Sequence, residues 1–462
     1  MRPRKPDVLP ARLLTFELNR DQSEADAKEG VALRAALLAG QTQIVDAVLR
    51  AREQLELRFA KHESKRQQRL WDVILTLKFP DMQTRQDAIM EAFPATYDWA
   101  LNEDISGLRS WLLTGSDTYW ITGKAGSGKS TLMKFLSNDP RTRKYLAQWA
   151  GDNEDLVVIQ CYFWYLGSVL QKSIEGLLRT IAYHILSTCP QVVETLLPER
   201  WKLMQTRRDL PQPFWGLDEL QSLLSKAPAA IAKVRQASHA ARSLKCCLFV
   251  DGLDEYNGNH GRLVQILNDL ASTDGMKVCV SSRPWNVFVR AYESCKPHLF
   301  LQDLTAGDIR LYVKMEIMGS LSRPATHDPS SSSYKDLHTI VSDIVNRAEG
   351  AFLWVYLAVQ SVLRGFDEGD SIGTLQKRVL TFPTDLQLFF DNIFSRVDSF
   401  YHHHTTQALY LAYLYAEDHY EAAGCSSFLD FELISRHSTG VKDPQYLGHS
   451  SRRLAPQKSS FL

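Results

Sequence analysis

The amino-acid sequence predicts an α/β fold, in which a parallel β-sheet is flanked by helices, preceded by a helical arm and followed by a helical domain. Between residues 119 and 304, short runs of β-branched and aromatic residues alternate with helical stretches. These runs are apolar at successive rather than alternate positions, which is typical of strands covered on both faces, as in a parallel sheet. Before residue 79 and after residue 305 the pattern is helical.

The predicted strands are YWIT at 119–122, LVVIQCYFWY at 156–165, CCLFV at 246–250, KVCVSS at 277–282 and HLFLQDL at 298–304. A long helical stretch, which includes the amphipathic IEGLLRTIAYHILS, separates the second run from the third. Strands that alternate with helices in this way form a doubly wound domain. We expect this domain to span residues 79–304.

A helical arm is predicted in the N-terminal region, residues 1–78. Residues 25–78 are rich in Ala, Leu, Glu, Gln and Arg and contain almost no Gly or Pro, so they form a long helix or a helical hairpin broken near Gly40. The preferred interpretation is a helix packed on the neighbouring domain. An independent coiled coil stays open, although its heptads are irregular. The arm is the expected contact for protein partners.

Helices are also predicted after the last strand. The first contains LTAGDIRLYVKMEIM, with Thr305 as its N-cap and Asp308 in the capping-box position. Further helices are expected at 336–348, 351–364 and 384–398. We expect a helical lid or linker domain over 305–400. A divergent C-terminal region should cover 401–462, with a polar tail that is disordered from about residue 438.

Composition limits the classes of function. The 462 residues include 53 Lys or Arg and 53 Asp or Glu, which argues against a general polyanion binder, so no specific nucleic acid is expected. The seven cysteines contain no CxxC pair, which favours reduced thiols over a disulfide framework or a zinc site. No secretory signal is visible, and the stretch AFLWVYLAV is about half of the ~20 residues that a membrane span needs. We therefore expect a cytoplasmic protein without a membrane span.

The first predicted strand is followed by GKAGSGKST, which fits the phosphate-binding pattern G-x-x-x-x-G-K-[ST] at every position. Glycines let successive backbone N–H groups point at a polyphosphate, and the start of a helix adds a favourable dipole. The predicted nucleotide-binding residues are Gly123, Lys124, Ala125, Gly126, Ser127, Gly128, Lys129, Ser130 and Thr131. Lys129 supplies a mobile charge for the β and γ phosphates, and the hydroxyl of Ser130 suits Mg²⁺.

Acidic residues follow the third predicted strand. Asp251 stands at its carboxyl end, where ligands bind in such sheets, and is expected to hold Mg²⁺ together with Ser130. Asp254 and Glu255 come next, and either is a candidate to orient an attacking water, although both also suit capping of the following helix. Arg283 ends the next strand and is expected to sense the terminal phosphate, or else to form a salt bridge on the rim.

These motifs together resemble the NACHT class of STAND signal-transduction ATPases, and more narrowly the fungal NACHT proteins with a nephrocystin-like NTPase module. The resemblance rests on GKAGSGKST, LFVDGLDEY and VSSRPW, and extends through segments such as DMQTRQDAIMEAFPATYDWAL over roughly residues 75 to 400. It implies that the sensor-1 strand lies between the Walker A and Walker B strands. The residues that it matches to functional positions are Lys129 and Ser130 (Walker A), Asp251 (Walker B), Asp254 and Glu255 (further acids) and Arg283 (sensor 1).

The resemblance also implies a function. ATP, or GTP, would bind with Mg²⁺ and be hydrolysed slowly, and closure of the helical lid would control self-association into a homo-oligomer. In the family this serves immune-like recognition, heterokaryon incompatibility or regulated cell death. The winged helix and sensor repeats of such proteins cannot be placed in this sequence, which suggests a truncated or divergent chain.

Two other classes of function stay open. One is a non-switching P-loop enzyme, such as a nucleoside kinase or a mechanical ATPase, although no acceptor pocket can be named. The other is a degenerate scaffold that binds nucleotide weakly and acts through its arm, against which the intact motif residues argue. A metal site at His402, His403 and His404 is disfavoured, because consecutive helix residues point in different directions and no other ligand flanks them.

Overall fold

The structure is a computed structural model that describes residues 41–395 and 404–411. Within these limits the short stretches outside the description are 103–104, 117, 152–153, 207–213, 238–242, 295–297 and 322–331. The predicted break near Gly40, the polar tail from about 438, and His402 and His403 lie outside the described residues.

A five-stranded parallel sheet forms the centre of the fold and confirms the predicted α/β class. Its strands are β1 (Tyr119–Thr122), β2 (Glu154–Tyr162), β3 (Ser243–Asp251), β4 (Met276–Ser282) and β5 (His298–Phe300). Their order across the sheet is β2-β3-β4-β1-β5, and all neighbours are parallel. The strand before Arg283 therefore lies between the two strands that carry the phosphate-binding and acidic motifs, as the family resemblance implies.

Helices surround the sheet and continue beyond it. In chain order they are α1 (Gln41–Leu75), α2 (Thr84–Ala88), α3 (Asp98–Asn102), α4 (Leu108–Thr114), α5 (Lys129–Asn138), α6 (Pro140–Ala150), α7 (Ile174–Thr188), α8 (Val193–Leu196), α9 (Pro198–Thr206), α10 (Leu217–Ala237), α11 (His260–Ala271), α12 (Asn286–Tyr292), α13 (Leu301–Leu304), α14 (Ala306–Leu321), α15 (Ser332–Ala348), α16 (Phe352–Asp367), α17 (Ile372–Thr381) and α18 (Leu386–Ser395). Within the part of the chain that is described, no helix combines the length and apolar character required to cross a membrane.

The continuous apolarity of the strands reflects burial on both faces of the sheet. Along β3, Cys246, Leu248 and Val250 pack in one hydrophobic cluster, while Cys247 and Phe249 pack in the cluster on the opposite face. Successive side chains of a strand point to opposite faces, so a strand covered on both sides is apolar at every position. The cysteines of the described residues are free and buried, as predicted: Cys161, Cys189, Cys246, Cys247 and Cys279.

Two predicted strands end earlier than the sequence suggested. β2 stops at Tyr162, so Trp164 and Tyr165 lie in the loop that follows it. β5 covers only His298–Phe300, and the rest of the apolar run HLFLQDL forms α13, so the prediction of a strand over 301–304 is wrong. A short apolar run does not distinguish a buried strand from a buried turn of helix, since both present apolar residues in succession.

The capping box predicted at Thr305 is wrong as well. The Thr305 hydroxyl donates to the carbonyl of Gln302 (3.4 Å), in the helical turn that precedes α14. The Asp308 carboxylate accepts hydrogen bonds from Nε1 of Trp99 (2.8 Å) and from the backbone N–H of Tyr97 (3.2 Å). Asp308 therefore connects α14 to the segment before β1, a contact between distant parts of the chain that a local pattern does not reveal.

Among the residues whose side chains are described, the arm packs on the rest of the fold through the C-terminal part of α1. Residues 52–62 of α1 are exposed, whereas four apolar residues near its end are buried: Leu70, Val73, Ile74 and Leu77. The guanidinium of Arg179 in α7 donates to the carbonyls of Thr76 (3.1 Å) and Leu77 (3.0 Å). These bonds satisfy backbone carbonyls in the turn that directly follows α1. The end of the arm is thus part of the sheet domain's core.

The helices after residue 305 share a hydrophobic cluster of their own, which supports a separate packing unit. It includes Ile309 and Val313 of α14, Ile340 of α15, Trp354 of α16, Leu375 of α17 and Phe389 of α18. The limits 1–78, 79–304, 305–400 and 401–462 stay predictions, because compact clusters do not by themselves divide a chain into domains.

One charged side chain is fully buried against the sheet. Lys277 in β4 donates from Nζ to the carbonyls of Trp111 (2.5 Å) and Leu112 (2.8 Å) in α4. Its ammonium lies 4.5 Å from the centroid of the Trp149 ring. Burial lowers the pKa of Lys277 to about 8. The bonds to helix carbonyls compensate the cost of burying this ammonium and attach α4 to the strand beside β1.

Candidate functional site

The glycine-rich loop joins β1 to α5 at the carboxyl edge of the sheet. Gly126 and Gly128 have φ angles of 69° and 93°, a left-handed backbone that residues with a side chain rarely adopt. A Cβ placed at Gly128 would lie 2.4 Å from the hydroxyl of Tyr97, and one placed at Gly126 would lie 2.9 Å from Cβ of Leu353. The loop is therefore packed closely between the segment before β1 and the helices after residue 305.

The Lys129 side chain turns back over the loop. Its ammonium donates to the carbonyls of Gly123 (2.8 Å) and Lys124 (2.9 Å). Burial lowers the pKa of Lys129, while the carboxylates of Asp254 and Asp251 oppose that shift. The ammonium thus lies between loop carbonyls and the acids at the end of β3. Its N–H groups would bond more strongly to a charged acceptor such as phosphate than to these carbonyls.

The other residues of the motif differ in their surroundings. Lys124 and Ala125 are exposed, and Lys124 Nζ forms an ion pair with Oε2 of Glu349 (3.0 Å). The Ser127 hydroxyl is buried without a hydrogen-bond partner. The Ser130 hydroxyl is near enough to Asp251 to lower its pKa, and Thr131 is partly buried in the first turn of α5. A buried hydroxyl without a partner is unusual in a protein interior, so the loop has capacity for a further polar group.

Asp251 lies at the carboxyl end of β3 and its carboxylate is 1% exposed. The Ser281 hydroxyl of β4 donates to its Oδ1, and the backbone N–H of Gly252 donates to the Ser281 hydroxyl (3.1 Å). Burial raises the pKa of Asp251, and the hydrogen bonds with Ser130 and Ser281 and the nearby Lys129 charge work in the opposite direction. The structure therefore brings Ser130 and Asp251 together, as the prediction of a joint metal site requires.

Asp254 and Arg283 form an ion pair. The Arg283 Nε lies 3.0 Å from Oδ2 of Asp254, and the Arg283 backbone N–H donates to Oδ1 (2.9 Å). The Asp254 side chain is 6% exposed, whereas that of Arg283 is 48% exposed. The sequence left two roles open for Arg283, a sensor of the terminal phosphate and a salt bridge on the rim. Arg283 forms a salt bridge with Asp254 and also lies at the sheet edge beside the loop, so its position is compatible with both roles.

Glu255 has a different environment from Asp254. It ends a 3₁₀ turn at Leu253–Glu255, and its Oε2 accepts the backbone N–H of Tyr165 (3.1 Å). Burial raises the pKa of Glu255, against the N–H bond and the charge of Arg85. Neither acid caps the helix that follows, since the N-cap of α11 is Asn259. Glu255 is thus held by a backbone N–H group, whereas Asp254 is held by Arg283.

The helical part after residue 305 contacts the loop directly. The backbone N–H of Leu353, in the first turn of α16, donates to the carbonyl of Gly126 (2.9 Å). Glu349 and Gly350 just before α16 have φ angles of 44° and 77°, so the chain turns sharply at this point. A Cβ at Gly350 would lie 2.5 Å from the carbonyl of Gln302. The start of α16 is thereby held against both the loop and the end of the sheet.

Sequence reasoning missed several residues that shape the site. Tyr97 donates from its hydroxyl to the carbonyl of Gly128 (3.4 Å) and has a φ of 63°, and Ser281 holds Asp251. Arg85 approaches Asp251 and Glu255 from a segment that precedes the motif by more than thirty residues. No local pattern marks any of the three, because each reaches the site from a different part of the chain.

The polar side chains of the loop and of the end of β3 suit a complex of Mg²⁺ with a nucleotide. Among the described residues, no group of three or more His, Cys, Asp or Glu gathers into a metal site. Mg²⁺ is usually held in phosphate-loop proteins by one or two protein oxygens together with the phosphates and water, so Ser130 and Asp251 are sufficient. The unpartnered Ser127 hydroxyl and the Lys129 ammonium fit a polyanion in the same loop.

Comparison with known proteins finds a family match over part of the chain. The family model described as "Nephrocystin 3, N-terminal" matches residues 95–283, which include the glycine-rich loop, Asp251 and Arg283. This part of the chain is therefore nephrocystin-like. No curated protein matches.

A solved structure, described as "Structure of C. elegans PCH-2", is similar with a TM-score of 0.29 and 11% sequence identity. The match covers 59% of this chain and 61% of that one, so this chain spans less than two thirds of its length. A likeness this distant supports no statement about function.

The contact between Gly128 and Tyr97 predicts the effect of a side chain in the loop. Gly128→Ala should destabilise the protein by about 2–4 kcal/mol, because alanine at a left-handed φ costs about 1–2 kcal/mol and the clash with the Tyr97 hydroxyl adds about 1–2 kcal/mol. Thermal unfolding measures the loss. Tyr97→Phe should restore part of the stability of Gly128→Ala by removing the clashing oxygen. If the double variant is no more stable than Gly128→Ala, the contact is wrong.

Proposed function

We propose that this chain binds ATP, or GTP, with Mg²⁺ in the glycine-rich loop and hydrolyses it slowly, as a nucleotide-dependent switch. The observation that carries the proposal is the hydrogen bond from the Leu353 N–H of α16 to the Gly126 carbonyl of the loop (2.9 Å). It joins the predicted phosphate site to the helices that would move. The nephrocystin-like match over 95–283 supports the nucleotide-binding part of the proposal.

Different residues of the chain would bind the phosphates and the Mg²⁺ ion. The backbone N–H groups of the loop and the start of α5 favour the negative charge of phosphates. Lys129 would exchange its two bonds to loop carbonyls for phosphate oxygens, which are stronger acceptors because they are charged. Ser130 and Asp251 would hold Mg²⁺, which when bound neutralises charge on the phosphates. Ser281 orients the Asp251 carboxylate.

Glu255 is the proposed base for hydrolysis. Its pKa is raised by burial, so it accepts a proton from water more readily than an ordinary surface carboxylate does. Asp254 is engaged by Arg283 through both an ion pair and a backbone hydrogen bond. We therefore assign to Asp254 the positioning of Arg283, which senses the terminal phosphate from the adjacent strand end.

Coupling between nucleotide and lid follows from the end of α16. The first N–H groups of a helix have no intrahelical partner, and that of Leu353 finds its partner in the phosphate loop. A bound phosphate engages the loop backbone, so any rotation of the peptide at Gly126 alters this bond. The exposed ion pair of Lys124 with Glu349 joins the same two elements (3.0 Å). A ligand that favours one arrangement of the loop thus shifts the position of the helices.

Further parts of the proposal come from resemblance to NACHT proteins of the STAND class. In that family the lid position controls self-association, so the triphosphate form is the proposed homo-oligomer and the exposed arm helix α1 the contact for protein partners. A cytoplasmic role in fungal immune-like or incompatibility signalling is proposed on the same basis. A catalytic P-loop enzyme and a degenerate scaffold are the rival functions, and the experiments below separate them.

Lys129→Ala should weaken binding of Mg²⁺–ATP by at least about a hundredfold, because two charge-assisted hydrogen bonds are lost. Calorimetric titration of the full chain measures the affinity. Lys144→Ala, at an exposed lysine of the neighbouring helix α6, is the matched control and should bind as the wild type does. Equal affinity of Lys129→Ala and wild type would reject the loop as the nucleotide site.

Glu255→Gln should slow phosphate release in a single turnover by about 10²–10³-fold while nucleotide still binds, since the amide cannot accept the proton. Asp254→Asn should slow it by less than about tenfold, because it only loosens Arg283. Release of labelled phosphate from a preformed complex is the measurement. A larger effect at Asp254 than at Glu255 would show that the two roles are reversed.

The switch predicts a change of mass. Size-exclusion chromatography with light scattering should show a larger species with a non-hydrolysable ATP analogue than with ADP, because only the triphosphate form self-associates. Lys129→Ala should give one mass in both conditions. The same mass for the wild type in both nucleotides would favour an enzyme or a scaffold over a switch.

A further inference from the structure

Arg85 lies in the short helix α2, outside the recognised motifs. Three side-chain hydrogen bonds connect the α2 segment to β2, to the loop after β2 and to α5. Gln86 donates to the side chain of Gln160 in β2 (2.5 Å). Gln171, in the loop after β2, donates to the hydroxyl of Thr84 (2.8 Å). The buried ammonium of Lys134 in α5 donates to the carbonyl of Ile89, directly after α2 (2.6 Å). The residue is thus positioned by the phosphate-loop helix itself and by the second strand.

The guanidinium of Arg85 lies near an aromatic ring, and one of its hydrogen-bond donors is unpaired. Its Cζ lies 5.4 Å from the centroid of the Trp164 ring. Its Nε is buried and has no hydrogen-bond partner. Contact with a ring face holds a guanidinium in place without engaging its N–H groups. A buried donor without a partner costs free energy, so such a group in a native site calls for an explanation.

The acids near Arg85 do not supply that partner. Arg85 lies beside the ring of Trp164, and the next residue, Tyr165, donates its backbone N–H to Glu255 (3.1 Å), so Arg85 lies on the side of the site where Glu255 stands. Asp251 already accepts a hydrogen bond from Ser281, and Glu255 accepts the N–H of Tyr165. The carboxylates attract the guanidinium to this edge of the sheet and leave its buried Nε–H unpaired.

Arg85 and Arg283 differ in the state of their donors. Arg283 is half-exposed, and its Nε is engaged by Asp254 at 3.0 Å. Arg85 is only partly exposed and its Nε is unpaired. A planar guanidinium with unpaired donors beside a metal-binding acid matches the geometry and charge of a phosphate group.

We propose that Arg85 binds the terminal phosphate of the nucleoside triphosphate, from the side opposite the glycine-rich loop. This inference rests on the proposed function, because Lys129, Ser130 and Asp251 identify the end of the nucleotide that carries the metal and the terminal phosphates. Arg85 flanks Asp251 and Glu255 at that end. Helix α2, which precedes the sheet, would thereby help the site to bind a triphosphate more tightly than a diphosphate.

The test compares the affinities of two nucleotides in four proteins. ADP and the β,γ-imido analogue of ATP, each with Mg²⁺, are titrated by calorimetry into the full-length wild type, Arg85→Ala, Arg85→Lys and Asp87→Ala. Asp87 is an exposed residue of the same helix, so its variant controls for disturbance of α2. Thermal unfolding without nucleotide reports whether each variant is folded.

Arg85→Ala should weaken binding of the analogue by about tenfold to a hundredfold and that of ADP by less than about threefold, as expected for a charge-assisted bond to one phosphate. Arg85→Lys should recover part of the loss, since it keeps the charge but not the planar fork. Asp87→Ala should bind both nucleotides as the wild type does.

Equal weakening of both nucleotides by Arg85→Ala, or no weakening, overturns the inference and leaves the proposed function standing. If Arg85→Ala does not fold, Arg85→Lys decides by the ratio of its affinity for the analogue to its affinity for ADP. A lower ratio than in the wild type supports the inference, and an unchanged ratio overturns it. If the wild type binds neither nucleotide, the proposed function fails, and this inference fails with it.

Discussion

The buried carboxylate of Asp251 is the interaction on which the candidate site depends. It accepts a hydrogen bond from Ser281 of β4, and the Ser130 hydroxyl of α5 is near enough to lower its pKa, so β3, β4 and α5 meet at one group. A buried carboxylate is costly unless its oxygens are hydrogen-bonded, and here the bond comes from the neighbouring strand β4. The requirement to satisfy Asp251 therefore holds the phosphate loop, β3 and β4 in one arrangement.

A second constraint acts on the loop from the opposite side. Gly126 and Gly128 have left-handed φ angles, and their Cα atoms are approached by Leu353 and Tyr97. A glycine in this motif is usually explained by the ligand alone, but here the protein's own packing also excludes a side chain. The loop is thus enclosed by the segment before β1 and by α16. The proposed nucleotide would therefore contact the same loop backbone that holds α16, which is the physical basis of the proposed coupling.

Much of the fold and the core of the candidate site followed from local patterns. Continuous apolar runs predicted β1, β3 and β4 to within a few residues, because strands covered on both faces have no polar side. The apolar pattern failed at HLFLQDL, which is half strand and half helix, because both kinds of buried element are apolar. The capping-box pattern failed at Asp308, whose carboxylate accepts hydrogen bonds from Trp99 and Tyr97. Lys277 stands inside a strand pattern, and nothing local shows that Trp111 and Leu112 receive its ammonium.

The sequence alone determined the candidate residues for phosphate and metal, since the spacing of the glycines, Lys129 and Ser130 and the place of Asp251 after an apolar run depend only on neighbours in the chain. Only the tertiary structure decided how those groups are paired. It joined Asp254 to Arg283, left Glu255 with a raised pKa, and brought Arg85 and the start of α16 to the site. The physical reason is that hydrogen bonds and charge pairs act over a few ångströms in space, and residues at that distance are far apart along the chain.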